Sequence, residues 1–551
     1  MLTLLDAGKV TMSAISRRHF LGSLGASALA SSTPAARLLP TAHAQNGPRP
    51  RRFVIREDRF GRIFPELHPF YPEASPRLLA ALREMGEPGG MLDARDDLGK
   101  GPVALITDVN LNRNNPNNPE HSAGTTFMGQ FLDHDMTFDL SSRLGQPVEP
   151  LTSANARTPA LDLDSVYGGG PLADPELYAR VDPRSRERPT KLRIEHGGLF
   201  EDLPRRSDAS AIIADPRNDE NIMIAGLQAA IILFHNKAVD LVAGDRRDSA
   251  DEVYRRARQL TTWHYQWMIV HEFLPLFIGQ SLVSDVLRSG RRYYRPSVGF
   301  IPVEFQGAAY RFGHTMVRPS YRANRDGDVD PATKQPTPFF GMIFDPAGEG
   351  QRDPVDLRGG ARARRRFIGW ETFFDFGELE ADGVAAAVKP NKLIDTRIST
   401  PLFNLPLAAI ASGDRPTSLP QRNLLRHVTW SLPSGQSIAR AMRVPALSDR
   451  DFPELRSFRL GLEESTPLWY YVMREASVVE RGLRLGPVGG RIVAEVFIGL
   501  LQLDQNSYLA ANPRWRPTLP RRNGRVTGDF GMVDFLTFAG VDPAARAKRN
   551  A

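Results

Sequence analysis

Two histidines in this chain differ from the rest by the company they keep. One lies in Met128-Gly129-Gln130-Phe131-Leu132-Asp133-His134-Asp135, where carboxylates bracket the imidazole. On a helix Gln130 and His134 share a face one turn apart, so an amide and an imidazole can line the same pocket. The other lies in Tyr310-Arg311-Phe312-Gly313-His314-Thr315-Met316, with a guanidinium one turn before the ring. An imidazole with an ordinary pKa near 6.5 can accept a proton and return it at neutral pH. A guanidinium beside it carries a charge that no pH in that range removes. The remaining histidines read as structural. His68, His121 and His196 have loop-like surroundings and are expected at the surface. His264 and His271 fall in an apolar helical stretch and lack the His-Glu-x-x-His spacing of a zincin. The chain has no cysteine, which excludes disulfides, thiolate metal sites, iron–sulfur clusters and a cysteine nucleophile. Metal chemistry must run on His, Asp, Glu or backbone oxygen.

Helices must present these residues. Apolar positions three and four apart predict helices over 76–85, 125–138, 221–242, 251–278, 434–442, 467–482 and 488–503. Residues 110–120, 351–366 and 414–420 are rich in turn formers and are expected to be loops. Strand-like alternation is scarce, and neither a repeat nor a linker divides the 551 residues. The expected fold is mainly α, with little β. One large helical domain spans 105–510, an arm over 45–104 covers it, and a tail over 511–551 packs on it or trails from it.

Four segments taken together carry a resemblance. Gly-Gln-Phe-Leu-Asp-His-Asp at 129–135 resembles the distal-histidine motif of the animal-type haem peroxidases. That is the peroxidase–cyclooxygenase superfamily, whose secreted members include myeloperoxidase and peroxidasin. Arg-Phe-Gly-His-Thr at 311–315 resembles the proximal-histidine motif. Asp-Pro-Arg-Asn-Asp-Glu at 215–220, followed by His235-Asn236, resembles the family's Arg-x-x-Glu element. Leu-Pro-Gln-Arg-Asn-Leu-Leu-Arg at 419–426 resembles the stretch bearing the asparagine behind the proximal histidine. The segments fall in the family's order and at similar separations, over roughly 105–505.

The resemblance implies haem b as cofactor, hydrogen peroxide as one substrate and a small reducing molecule as the other. His134 is then the group that moves a proton between the peroxide oxygens, and Arg217 stabilises charge on the departing one. His314 is the iron ligand and Asn423 its hydrogen-bond partner. Gln130 matches the glutamine lining the halide site. Arg311 and Arg426 match holders of the haem propionates, and Asp133 and Glu220 match carboxylates that form ester bonds to haem. Asn221 stands where myeloperoxidase has the methionine of a sulfonium link. That difference argues against chloride and for bromide, iodide, thiocyanate or small aromatic donors. Thr158-Pro159-Ala160-Leu161-Asp162-Leu163-Asp164 resembles the family's calcium loop, with Asp135 completing it. Carboxylates of Asp135, Asp162 and Asp164, the Thr158 hydroxyl and carbonyls of Thr158 and Ala160 suit the oxygen-rich shell of Ca2+.

Ser16-Arg17-Arg18-His19-Phe20-Leu21, a mild apolar stretch and Ala42-His43-Ala44 resemble a bacterial twin-arginine signal over 1–44, starting at Met1 or Met12. The resemblance implies the twin-arginine export machinery as a partner and a periplasmic or extracellular destination. No stretch approaches the ~18 consecutive apolar residues of a membrane span. The net charge is +7, of which Lys9, Arg17, Arg18 and Arg37 against Asp6 place +3 in the leader. Only 8 of the 70 basic residues are Lys, and no basic block interleaves with aromatics, so no nucleic-acid partner is expected. Oligomeric state is not written in these features. Two rival functions stand beside the peroxidase. A fatty-acid dioxygenase or cyclooxygenase-like enzyme carries a radical-forming Tyr three residues before the proximal histidine, where this chain has Arg311, with Tyr310 one residue too far. A non-catalytic exported matrix protein would be indifferent to His134→Ala.

Overall fold

The computed structural model describes residues 58–550 except 140, 181–188, 197–199, 245–247, 378–387 and 411, with the backbone alone over 547–550. The twin-arginine leader and the first part of the arm lie outside the described residues. The frame is built from α1 (Pro76–Met85), α2 (Ala123–Met136), α3 (Ile222–Ala243), α4 (Ala250–Met268), α5 (Leu419–Thr429), α6 (Leu468–Glu480), α7 (Pro487–Leu503) and α8 (Met532–Ala539). Among the described residues every sheet is two-stranded. The fold is mainly α.

Helix α2 is buried on nearly every side, and Gly124 is there because a Cβ would lie 2.4 Å from the Phe374 ring. Helix α3 is long and apolar enough to cross a membrane by length and composition, but most of it is buried inside the protein. It packs against α2, α4 and α8, and its all-round apolar surface is that of a core helix. Phe535 of α8 stacks on Phe234 of α3, with centroids 4.0 Å apart. Helix α4 begins at Ser249, whose side chain accepts from the Glu252 amide, an N-cap reinforced by acidic residues in the first turn.

Three expectations need correction. The helix expected over 251–278 is interrupted by a wide π turn over Ile269–Phe273 before it resumes as Leu274–Ile278. Pro275 lacks an amide hydrogen and its ring clashes with the carbonyl four residues back, a conflict the wider turn relieves. The hairpin β1 (Ser320–Val329) and β2 (Pro336–Met342) was not anticipated. Its first strand reads Ser-Tyr-Arg-Ala-Asn-Arg-Asp-Gly-Asp-Val and shows no clean polar alternation. His121 is buried rather than exposed, with its ring edge-on to Phe277 at 4.6 Å and Nε2 3.0 Å from the Leu276 carbonyl. The short strand Asn117–Ser122 pairs with Pro390–Lys392 and runs directly into α2, and Asn118 holds Nδ1 of the ring at 3.3 Å. His68 and His196 are exposed as expected.

From residue 58 the arm is part of the core, with Phe60, Phe64, Phe70 and Leu82 packed in it. The buried Glu304 carboxylate accepts from the amides of Ile63 and Phe64 at 3.0 Å. Helix α1 stops at Gly86, where a Cβ would stand 2.6 Å from the Gln421 amide nitrogen. That approach lets the end of α1 touch the start of α5.

Burial sets the pH dependence of stability. It pushes His121, His235, His264 and His427 down to about 4 and Glu272 and Glu475 up to about 7. As pH falls below about 6.5 the unfolded chain takes up the histidine protons first, so that stability is lost toward pH 4. The two glutamates act oppositely, because the folded chain holds their protons and stability is lost as pH rises through about 7. Thermal unfolding of the full chain across pH should therefore peak near roughly pH 7, with the steeper decline on the acid side. A Tm that keeps rising down to pH 5 would contradict this.

Candidate active site

The distal side is built on α2 and on the turn Pro216–Asp219 just before α3. His134 is buried on α2, with Nδ1 2.9 Å from Asn218 Oδ1. The Asn218 amide is itself oriented by donating Nδ2 to Gln228 Oε1 at 2.9 Å. Its oxygen therefore faces the ring, Nδ1 must carry the hydrogen, and the Nε2 lone pair is left available. Burial, then the Arg217 charge, lowers the ring to about 3, so it is a neutral base throughout the physiological range. Sequence reasoning missed Asn218 and Gln228; the only available signal was that Asn218 directly follows Arg217.

Arg217 is locked to the frame. Asp215 accepts from Nε at 3.0 Å and from Nη2 at 2.8 Å, and Nη2 also donates to the Thr137 and His134 carbonyls at 2.6 and 3.1 Å. The guanidinium lies 4.2 Å over the Phe138 ring, and its Nη1 is 3.8 Å from Asp133 Oδ2. Burial alone would raise Asp215, but Arg217 and Arg157 hold it down to about 2. Burial raises Asp133, opposed by Arg217 and Arg311, and pushes Glu220 up to about 8. Gln130 Nε2 donates to Glu220 Oε1, and Asn221 Nδ2 donates to Gln130 Oε1 at 3.3 Å. That Gln130 thus has both amide ends engaged.

The proximal side is the short turn Gly313–Met316, which packs against α2, together with α5. His314 Nδ1 is 2.8 Å from Asn423 Nδ2, and Arg311 Nη1 donates to Asn423 Oδ1 at 3.1 Å. Among the described residues His314 Nε2 has no partner. Burial, then Arg311, lowers this ring to about 3. Burial and Arg426 in turn push Arg311 down to about 10. Arg426 Nη1 donates to Asp139 at 2.6 Å and its guanidinium lies 4.8 Å from the Trp430 ring. Arg422, which sequence reasoning did not single out, is lowered by burial and then by Arg311. The three guanidiniums feel one another's charge, with Asp133 and Asp139 opposing it at Arg311, Asp139 at Arg426 and Asp414 at Arg422.

The distal and proximal sides adjoin, since Asp133 feels Arg217 from one and Arg311 from the other. Gln130, Asp133, Arg217, Glu220, Arg311 and His314 all keep some accessible surface although buried residues surround them, and for the Asp133 side chain it reaches 31%. The donor set fits a haem. Among the described residues neither imidazole has a partner at Nε2, guanidiniums gather on the Arg311 side where carboxylates could be held, and Asp133 and Glu220 add two carboxyls.

The expected cation site is brought together as well. Asp135, Asp162 and Asp164 each place a carboxylate oxygen within 4.8 Å of the others. Burial, then Asp162 and Asp164, raises Asp135 well above the usual range, a repulsion that a divalent cation would relieve. Asp135 also accepts from the Leu163 amide at 3.1 Å, Ser165 Oγ at 3.0 Å and Tyr265 at 3.2 Å. The Thr158 hydroxyl donates to Asp164 Oδ2 at 3.0 Å, and Ala160 is two residues on in the same loop, its amide 2.7 Å from the Thr158 carbonyl.

Comparison with known proteins agrees with this architecture. Residues 141–356 match the family described as animal haem peroxidase, a span that holds Arg217, Glu220, Arg311, His314 and the acidic loop but neither His134 nor Asn423. Dual oxidase of Drosophila melanogaster is 36% identical over 121 residues, 22% of this chain and 7% of that protein. Thyroid peroxidase of Mus musculus is 24% identical over 229 residues, 37% of this chain and 24% of that protein. Both matches span a quarter or less of the relative's own length. Peroxidase A from Dictyostelium discoideum shares the fold, with a TM-score of 0.52 at 15% identity over 79% of this chain and 90% of that one.

Proposed function

We propose that this chain is an exported haem peroxidase of the animal haem peroxidase family that uses hydrogen peroxide to oxidise bromide, iodide, thiocyanate or small aromatic donors. One observation carries the reading: two imidazoles, each with Nδ1 against an asparagine and with no partner at Nε2 among the described residues, belong to one cluster in which Asp133 feels both Arg217 and Arg311. Haem b would be held by His314 through Nε2, by Arg311 and Arg426 at its propionates, and by Asp133 and Glu220 through ester bonds. When bound it supplies the iron that exchanges electrons with peroxide.

His134 takes a proton from one peroxide oxygen on Nε2 and returns it to the other as the O–O bond breaks. Arg217 sets a fixed charge beside the departing oxygen, and Asp215 keeps it from moving. Gln130, clamped by Glu220 and Asn221, presents a rigid amide to a halide-sized reductant. For His314 to hold the iron through Nε2, its Nδ1 hydrogen would have to be donated to Asn423 Oδ1. That orientation of the amide requires Arg311 to exchange Asn423 for a propionate oxygen. Ca2+ at Asp135, Asp162, Asp164, Thr158 and Ala160 would brace α2 one residue from His134. Adding Ca2+ to chelator-treated protein should raise Tm by about 3 °C at a hundredfold excess over Kd. Asp162→Asn should abolish the response, and an unresponsive parent protein would remove the calcium assignment.

The test of the function is an absorption spectrum of the haem-supplemented chain before and after peroxide, followed by acidified-solvent extraction. A Soret band that shifts with peroxide, and haem that stays on the protein, is the expected result. Haem that extracts freely would remove the ester bonds and keep the enzyme. No haem uptake would overturn the reading, and oxygen uptake with linoleate in the absence of peroxide would favour an oxygenase.

A further inference from the structure

We propose that a cavity where α1 meets α5 binds organic acids with an aromatic or apolar body, and that phenolic members of this class are reducing substrates. The second half rests on the peroxidase reading. The site is a groove open to solvent that offers about 500 Å3, room for a small molecule. Arg83 and Arg415 supply two guanidiniums to its wall, Pro88, Pro416 and Phe403 supply apolar surface, and Thr417 a hydroxyl. Among the described residues no carboxylate lines it. Neither guanidinium has an ion-pair or hydrogen-bond partner among the described residues. Unpaired cations above an apolar floor recognise a carboxylate attached to a hydrocarbon body.

The walls are tied together without a ligand. Gln421 Nε2 donates to the Arg83 carbonyl at 2.8 Å, and Ser418 Oγ donates to the Gly86 carbonyl at 2.5 Å. Arg422 Nη1 holds the carbonyls of Asp414 and Pro416 at 2.7 and 3.1 Å. A preformed cavity binds without first having to order its own loops. One turn of α5 connects this wall to the proximal network. Gln421 lines the cavity, Arg422 is close enough to Arg311 for its charge to be felt, and Asn423 meets His314. A donor bound here therefore sits against the helix that holds the proximal side.

The probe is 4-hydroxycinnamate, with its uncharged methyl ester as matched control. Arg83→Gln/Arg415→Gln and the parent chain are compared in two measurements: equilibrium binding to haem-free protein, and steady-state oxidation by the haem-loaded protein. The parent should bind the acid more tightly than the ester. The double variant should lose about tenfold for the acid alone, the scale of one charge-assisted contact. Its KM for the acid should rise by the same factor, with the ester and iodide unchanged, and Arg83→Lys should restore part of the difference. Equal binding of acid by parent and variant would overturn the site. Loss of binding with an unchanged KM would overturn the substrate role. A parent that binds the acid but does not turn over any donor would overturn the peroxidase reading and leave the site standing.

Discussion

His134→Ala is expected to slow the reaction of the haem-loaded protein with hydrogen peroxide by about 10²–10⁴-fold, the usual contribution of a positioned acid–base group. Stopped-flow spectroscopy of the Soret band would read this directly, with the resting spectrum and haem content as controls. The expectation follows from the tautomer. Asn218 accepts from Nδ1, so Nε2 carries the lone pair that meets a peroxide proton. Because burial and Arg217 put this ring at about 3, His134 should contribute no acid limb to the parent rate above about pH 4.5. Asn218→Asp gives a sharper test. A carboxylate at that position would stabilise the protonated ring and move the acid limb of the profile upward by about one to three pH units. A structural role alone would change the rate at every pH and leave the limb in place. If His134→Ala reacts within threefold of the parent, the distal assignment is wrong.

The second large effect is at His314. His314→Ala should abolish tight haem retention, measured by haem titration and gel filtration, and added imidazole should restore part of the Soret intensity by filling the vacated space. The physical reason is that, among the described residues, Nε2 of this ring has no protein partner, while its lowered pKa keeps the ring neutral and, once Asn423 accepts from Nδ1, able to ligate. Removal of His427, another buried histidine on α5, should not mimic it, because its Nε2 is already occupied by the Trp469 amide at 2.9 Å. Haem affinity in His314→Ala equal to that of the parent would remove the proximal assignment and the cofactor geometry built on it.

Much of the site is legible because it is local. Gln130, His134 and Asp135 lie within two turns of a single helix, and Asp162 and Asp164 are marked by residue type in a short acidic loop. Periodicity also places most of the helical frame: 76–85 matches α1 to the residue, and 221–242 and 488–503 match α3 and α7 to within one residue at each end. These segments pack apolar stripes on a core, and a 3.6-residue period records that demand in the chain itself. The π turn at Ile269–Phe273 and the hairpin at Ser320–Met342 escaped because a proline conflict and a polar strand leave no such period.

Long-range pairing is different. That Asn218 would face His134 across 84 positions, or that Arg311 would hold Asn423 across 112, depends on where α2, α3 and α5 come to rest. The same holds for the burial that drives His134 and His314 down to about 3 and Glu220 up to about 8. Residue types and local spacing by themselves determined which chemistry was available and which helices would present it. Only the tertiary structure decided the tautomer of His134, the clamp on Arg217, the crowding of Arg311, Arg422 and Arg426, and the cavity beside Arg83. Those are properties of a dielectric environment and of neighbours brought from far along the chain, and no sequence window contains either.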